Sequence, residues 1–252
     1  MSAAFEGRLA IVTGATSGIG AATAERLATG GARVIATGRR TERLDALRQR
    51  LGESCRTRAL DMTDTAAVKA FAAGLEDAPD ILVNNAGLAL GLGGAEEASL
   101  DDWDRMIDTN IRGLVHLTRA LLPRMKPLPR ADIINISSVA GSYPYPGGNV
   151  YGASKAFVTQ FSLNLRSDLL GSRVRVTSVE PGLTETEFSE VRFHGDKEKA
   201  SDVYRGTDRL VAADIARVVG DILALPAHIN INRVEIMPVC QAFGPFAISR
   251  NA

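Results

Sequence analysis

The chain has 252 residues, 45% of them hydrophobic, which is enough to bury a substantial core. Its 29 Lys and Arg residues cancel 29 Asp and Glu, so no general attraction to nucleic acid or to an anionic membrane is expected. Three scattered histidines (His116, His194, His228) and two distant cysteines (Cys55, Cys240) lack ligand-like spacing, which argues against a catalytic metal and for two reduced thiols. The start, MSAAFEGRLAIVTGA, lacks the basic-then-apolar pattern of a secretion signal, and no apolar run reaches membrane-spanning length. A cytoplasmic location is the expectation.

Short apolar runs alternate with longer amphipathic ones. The pattern predicts strands at Leu9–Thr13, Arg33–Thr37, Thr57–Leu60, Ile81–Val83, Asp132–Ser137, Arg175–Val179 and Val234–Met237. Helices are predicted near Ile19–Thr29, Glu42–Leu51, Ala66–Gly74, Trp103–Met125, Tyr151–Leu170 and Ala213–Leu225. Such alternation implies one α/β domain over residues 1–252, a Rossmann-type, doubly wound parallel sheet with helices on both faces and right-handed crossovers. Residues 183–207 break the rhythm: they are charged, weakly periodic and long, which suits a substrate lid or a surface insertion.

The first strand runs into Thr13-Gly14-Ala15-Thr16-Ser17-Gly18-Ile19-Gly20. Glycines here permit a tight turn that brings backbone N–H groups to a phosphate at the following helix N-terminus. The spacing is G-x-x-x-G-x-G, unlike the commoner dinucleotide fingerprint G-x-G-x-x-G. After the second strand, where an NAD-selective protein places an acid for the ribose hydroxyls, the chain offers Gly38, Arg39 and Arg40. A helix start is a poor place for cations, whereas guanidinium suits a 2′-phosphate by charge and by its forked donors, so NADP(H) is expected. Asp61, after the third strand, is placed either to accept from an adenine amino group or to cap the next helix, although Asp64 is better placed as the cap. The fourth strand ends in Asn84-Asn85-Ala86-Gly87, small and amide residues that let a cofactor lie close to backbone. Asn110, inside a predicted helix, is a poor helix former: it is either a satisfied buried amide or a bend that holds water in a proton path.

Of the four tyrosines, only Tyr151 is followed four residues on by a lysine, Lys155. On a helix the two share a face, and a cation beneath the phenol favours phenolate and lowers its pKa, making it a usable proton donor or acceptor. Ser138 can steady the same oxygen, or a substrate oxygen, with its hydroxyl.

TGATSGIG, NNAG, Asn110, Ser138, YGASK and Glu180-Pro181-Gly182, in this order over nearly the full length, resemble the short-chain dehydrogenase/reductase family. The resemblance implies that Tyr151 is the general acid/base, that Lys155 tunes it and binds the nicotinamide ribose, and that Ser138 positions the substrate oxygen. It also implies a water relay through Asn110 and contacts of Pro181, Gly182 and Thr186 with the nicotinamide carboxamide. A homotetramer, or a dimer, built partly through the two long helices is a further implication, although their apolar residues could equally be covered within the monomer. Segments GLALG at 87–91, MIDTN at 106–110, GSYPYPGGNVYGASKAF at 141–157, TEFSEVRFHGD at 186–196 and LPAHININ at 225–232 are similar to the NADP-dependent 3-hydroxy acid dehydrogenase group, which includes serine and allo-threonine enzymes. Residues 126–130 and the tail QAFGPFAISRNA are individual to this chain. A small acid substrate needs a partner for its carboxylate once desolvated. Arg192 is the candidate, with Gly148 and Asn149 lining the same pocket. The alternatives are a reductase of another small carbonyl (sulfoacetaldehyde or a diketone) and, more remotely, a non-catalytic NADP(H) sensor.

Overall fold

The computed structural model describes residues 4–243. Its first half comprises β1 (Leu9–Val12), α1 (Gly18–Thr29), β2 (Arg33–Gly38), α2 (Thr41–Leu51), β3 (Cys55–Ala59), α3 (Thr65–Ala73) and β4 (Ile81–Asn84). There follow α4 (Leu100–Ile107), a π-helical turn (Asp108–Gly113), α5 (Leu114–Met125), β5 (Ala131–Ile136), α6 (Asn149–Asp168) and β6 (Val174–Pro181). The chain continues through β7 (Thr184–Glu185), α7 (Phe188–Arg192), α8 (Lys197–Asp202), β8 (Leu210–Val211), α9 (Ala212–Ala224) and β9 (Arg233–Ile236).

Seven strands pair in parallel in the order β3-β2-β1-β4-β5-β6-β9, the doubly wound sheet that the strand–helix alternation predicts. Side chains alternate along each strand, so apolar residues at both parities feed two cores. Ala10, Val12 and Val34 pack with Leu27 of α1, Leu44 and Leu47 of α2, and Val219 and Leu223 of α9 on one face. Ile11, Leu82, Ile133 and Val176 pack with Val68 of α3, Leu117 and Leu121 of α5, and Leu165 of α6 on the other. Asp64 caps α3, accepting from Ala66 N at 3.0 Å and Ala67 N at 2.9 Å, and Ser99 accepts from Asp102 N at the start of α4.

The helix expected as one piece over Trp103–Met125 starts earlier, at Leu100, and is broken by the π turn around Asn110. Many apolar residues of the two long helices are covered within the chain: Leu114, Leu117, Leu121, Leu165 and Leu169 are buried, while Ile107 and Phe157 stay exposed. Among the described residues, no helix is long and apolar enough to cross a membrane, and no group of His, Cys, Asp or Glu side chains is arranged to hold a metal ion. Cys55 is buried and Cys240 exposed, both as free thiols. Of the C-terminal tail, residues 244–252 lie outside the described residues.

The amino-terminal edge of the sheet is fastened by buried charge. Asp132, at the start of β5, accepts from Arg8 at 2.6 Å and Arg175 at 2.5 Å, and Asp80 accepts from Leu9 N at 2.8 Å. Arg175 also donates to the Ile229 carbonyl at 2.9 Å, which ties the segment after α9 to β6. Removing one member of a buried pair leaves the other charge uncompensated. Asp132→Asn is therefore expected to lower unfolding free energy by about 3–5 kcal/mol, measured by urea denaturation.

Candidate active site

Parallel pairing sends every strand's carboxyl end to one edge, and strand order reverses between β1 and β4, where doubly wound sheets bind ligands. A cavity of about 710 Å³ opens there. One half is built from the turn after β1. Gly14 and Gly18 adopt φ of 65° and 53°, in the left-handed region that glycine tolerates. A Cβ on Gly14 would come within 2.8 Å of Ala86 Cα, and one on Gly18 within 3.1 Å of Thr186 Cβ, so only bare backbone fits between these walls. Thr16, Ser17, Ile19, Asn85, Ala86 and Gly87 also line the cavity. Asn85 braces the turn, donating through Nδ2 to the Thr13 carbonyl at 2.8 Å. Gly20 does not line the cavity; it faces the Asn85 amide and the Gly14 carbonyl, and its small size serves packing.

Arg39 and Arg40 line the same end, with Arg40 at the uncapped start of α2. Arg40 donates to Thr16 Oγ1 at 3.0 Å and Ser17 Oγ at 2.7 Å, and pairs with Glu187 at 2.8 Å. Arg39 has no ion-pair partner among the described residues. Asp61 also lines the cavity; its Oδ1 accepts from Thr63 N and Thr63 Oγ1, both at 2.9 Å, while the cap of α3 is Asp64. A bare-backbone cradle next to two guanidinium groups fits an anionic dinucleotide carrying an additional phosphate.

The other half holds the reactive groups. Ser138 follows β5 and caps a single 3₁₀ turn, accepting from Ala140 N at 3.1 Å, which fixes its hydroxyl at the cavity wall. Tyr151 and Lys155 lie one turn apart on α6, and both are buried. Burial pushes the Tyr151 phenol up to about 12, against a hydrogen bond with Ser138 and the charge of Arg192, which both pull it down. Burial pushes the Lys155 ammonium down to about 8. The spacing predicted that Lys155 would depress Tyr151. Instead Lys155 Nζ donates to the Ile136 carbonyl at 2.9 Å and stands 5.8 Å from the Tyr151 ring centroid, so desolvation prevails.

Asn110 lies behind the cavity wall, in the π turn. Its Oδ1 accepts from Leu88 N at 2.9 Å, and its Nδ2 donates to Leu88 O at 2.9 Å and Ser154 Oγ at 3.0 Å. It is thus both the satisfied buried amide and the site of the helix irregularity. A Cβ on Gly87 would lie 3.2 Å from Asn110 Oδ1 and 3.3 Å from Lys155 Nζ, so the amide and the ammonium both border the small space that this glycine leaves. Pro181 ends β6, its carbonyl accepting from Ser138 Oγ at 3.4 Å. Gly182 lines the cavity and is packed by Gln241, and Thr186 leans on Gly18 over the glycine turn.

The irregular stretch after β6 folds into β7, α7 and α8, fastened by β8. Helix α7 sits over Tyr151: the Phe188 ring centroid is 5.4 Å from that of Tyr151, and the Arg192 guanidinium is 5.6 Å from it. Arg192 also donates to Tyr145 OH at 2.6 Å. Gly148 and Asn149 do not line the cavity; Gly148 packs on the Tyr145 ring, and Asn149 Oδ1 accepts from Val150 N at 2.8 Å. Tyr145, Glu187, Phe188 and Gln241 line the cavity without having been singled out in the sequence. Tyr145 and Glu187 lie beside Gly148 and Thr186, but no periodicity or spacing marks them.

A model of the short chain dehydrogenase family matches residues 8–197. The NADP-dependent 3-hydroxy acid dehydrogenase YdfG of Salmonella typhi is 55% identical over 247 residues, covering 96% of this chain and 100% of that protein. The serine 3-dehydrogenase of Rhizobium radiobacter is 51% identical over 245 residues, covering 96% of this chain and 98% of that protein. A solved structure described as the closed form of serine dehydrogenase complexed with NADP+ superposes with a TM-score of 0.94 at 51% identity, covering 96% of this chain and 100% of that one. The chain belongs to the short-chain dehydrogenase family.

Proposed function

We propose that this chain is an NADP(H)-dependent oxidoreductase that interconverts the 3-hydroxyl and 3-oxo groups of short hydroxy acids, of the serine, allo-threonine, 3-hydroxyisobutyrate or 3-hydroxypropionate type. The observation that carries the acid preference is the Arg192 guanidinium, half-buried 5.6 Å from the Tyr151 ring centroid and lining the same cavity as Ser138. A carboxylate entering there finds a charged partner within a substrate's length of the proton donor. The relatives named above act on such acids by their names.

NADP(H), when bound, supplies the hydride acceptor or donor. Gly14, Gly18 and the Asn85–Gly87 backbone would cradle its phosphates, and Arg39 and Arg40 its 2′-phosphate. Ser138 Oγ orients the substrate oxygen, and Tyr151 exchanges a proton with that oxygen through its phenol. With its pKa at about 12 the phenol is protonated near neutrality, the form needed to donate. Arg192 and Ser138 favour phenolate, the form needed for alcohol oxidation. Asn110 fixes the backbone at Leu88, next to Gly87, and the Lys155 ammonium, held by the Ile136 carbonyl, lines the cavity beside that glycine's small footprint. Residues 183–207 serve as the lid that brings Phe188 and Arg192 over the substrate.

Absorbance at the reduced-nicotinamide band tests the assignment, with NADP+ and NAD+ offered separately against those acids. Reduction of NADP+ by one or more is expected. Reaction of NADPH only with sulfoacetaldehyde or diketones would move the substrate elsewhere, and bound cofactor without any turnover would favour the sensor. Tyr151→Phe should keep NADP+ affinity while turnover falls by roughly 10²–10⁴; surviving activity would refute the assigned acid/base. Arg192→Ala should raise KM for acids roughly 10- to 100-fold and spare uncharged carbonyls, and equal loss on both would remove the carboxylate role.

The buried Lys155 generates a pH-dependent stability difference. Its folded pKa of about 8 lies below the ordinary 10.5, so the cost of burying the charge is full below about pH 8 and fades as pH rises towards 10.5. Lys155→Met is therefore expected to be more stable than wild type below pH 8, with a margin that shrinks across pH 8 to 10.5 in chemical denaturation. A margin independent of pH would show that the ammonium is not desolvated.

A further inference from the structure

The contact between the lid and α2 involves none of the proton-transferring groups. Glu187, at the start of α7, sends one carboxylate oxygen to Arg40 Nη1 at 2.8 Å and the other to Arg43 Nη1 at 2.5 Å. Burial disfavours its charged form, but the hydrogen bonds and charges of the two arginines outweigh that and hold the carboxyl below its usual range, so it is ionised at neutral pH. Its partner Arg40 is the side chain already turned towards Thr16 and Ser17 beneath the glycine turn. Glu187 stands in a wall shared with a second cavity of about 370 Å³, whose lining includes Arg43 and Arg50.

Three guanidinium groups, of Arg39, Arg40 and Arg43, thus gather at this end with one carboxylate between two of them. A phosphate monoester carries nearly twice the charge of a carboxylate and three acceptor oxygens. It is the stronger partner for Arg40, and Arg43 in the second cavity gives the displaced carboxylate a place to stay paired.

We propose that Glu187 couples the cofactor's 2′-phosphate to the lid: it holds Arg40 in place of that phosphate, yields Arg40 to it by moving towards Arg43, and carries α7 with it. The proposal rests on the reading of Arg40 as a 2′-phosphate ligand. Because Phe188 and Arg192 belong to the same short helix, the cofactor's distal phosphate is felt at Tyr151. NAD(H), which lacks the phosphate, leaves Glu187 on Arg40 and does not shift the helix.

Calorimetric titration of the full chain with 2′,5′-ADP and with 5′-AMP tests this, since the two ligands differ by the 2′-phosphate alone. Glu187→Gln keeps the size of the side chain and removes the competing charge. It is expected to bind 2′,5′-ADP roughly three- to tenfold tighter with 5′-AMP unchanged. Arg40→Ala is expected to weaken 2′,5′-ADP selectively. Unchanged or weaker 2′,5′-ADP binding by Glu187→Gln, with Arg40→Ala still weakened, would overturn the proposal and leave the Arg40 reading intact. No effect of Arg40→Ala would overturn the Arg40 reading and the proposal with it. The sole tryptophan, Trp103, packs on the same cluster as Phe188, so its emission reports on the lid helix. Emission should respond to 2′,5′-ADP in wild type and not in Glu187→Gln; an equal response to 5′-AMP in wild type would refute the coupling to α7.

Discussion

The reversal of strand order between β1 and β4 is the constraint on which the rest of the molecule depends. With all seven strands parallel, six of them deliver a functional element to the same edge. β1 delivers the glycine turn, β2 the arginines, β3 Asp61, β4 the Asn85–Gly87 backbone, β5 Ser138 and β6 Pro181. The opposite edge is where Asp132 gathers Arg8 and Arg175 and where Asp80 holds Leu9. Buried charge at that end is paired, whereas the cavity end combines small and polar groups with the buried Lys155 ammonium.

Much of this was legible in the sequence because it is local. Glycines at a strand end, a tyrosine with a lysine one turn on, and arginines where an acid is usual each state their chemistry within a few residues. The full order of these signals carried the family, and Arg39 and Arg40 carried the choice of cofactor. What could not be read depends on distant parts of the chain meeting. Tyr145 and Arg192 are 47 positions apart and meet only when the lid folds over α6. Gly148 and Asn149 sit close to Tyr151 in sequence, but the start of α6 points them away from the cavity. The irregular stretch at 183–207 was recognisable as an interruption, whereas its two short helices and the pairing of β7 with β8 were not.

The electrostatics of α6 departs from the sequence expectation for a physical reason. Helical spacing tells which side chains share a face, but not what each head group bonds to. Lys155 reaches past the phenol to the Ile136 carbonyl, and burial then raises one pKa and lowers the other. The groups that act on the phenol in the opposite sense, Ser138 and Arg192, come from β5's end and from the lid. The acid strength of Tyr151 is therefore set jointly by the sheet and by a segment that lies over it.

The π turn between α4 and α5 has a consequence for which changes the chain can accept. Such a turn holds one residue more than the α-helical turn it replaces, and one residue is about 100° of rotation. The turn lets Asn110 bond both backbone groups of Leu88 while Leu117 and Leu121, further along, still face the sheet. Loss of a single residue between positions 108 and 113 would swing one set or the other out of place, whichever residue were lost. This stretch works as a ruler: at its solvent-facing positions the count matters more than the side chain, so exchange there is tolerated far better than a change of length, whereas buried Asn110 and Gly113, which packs on the Met62 backbone, are constrained in kind as well.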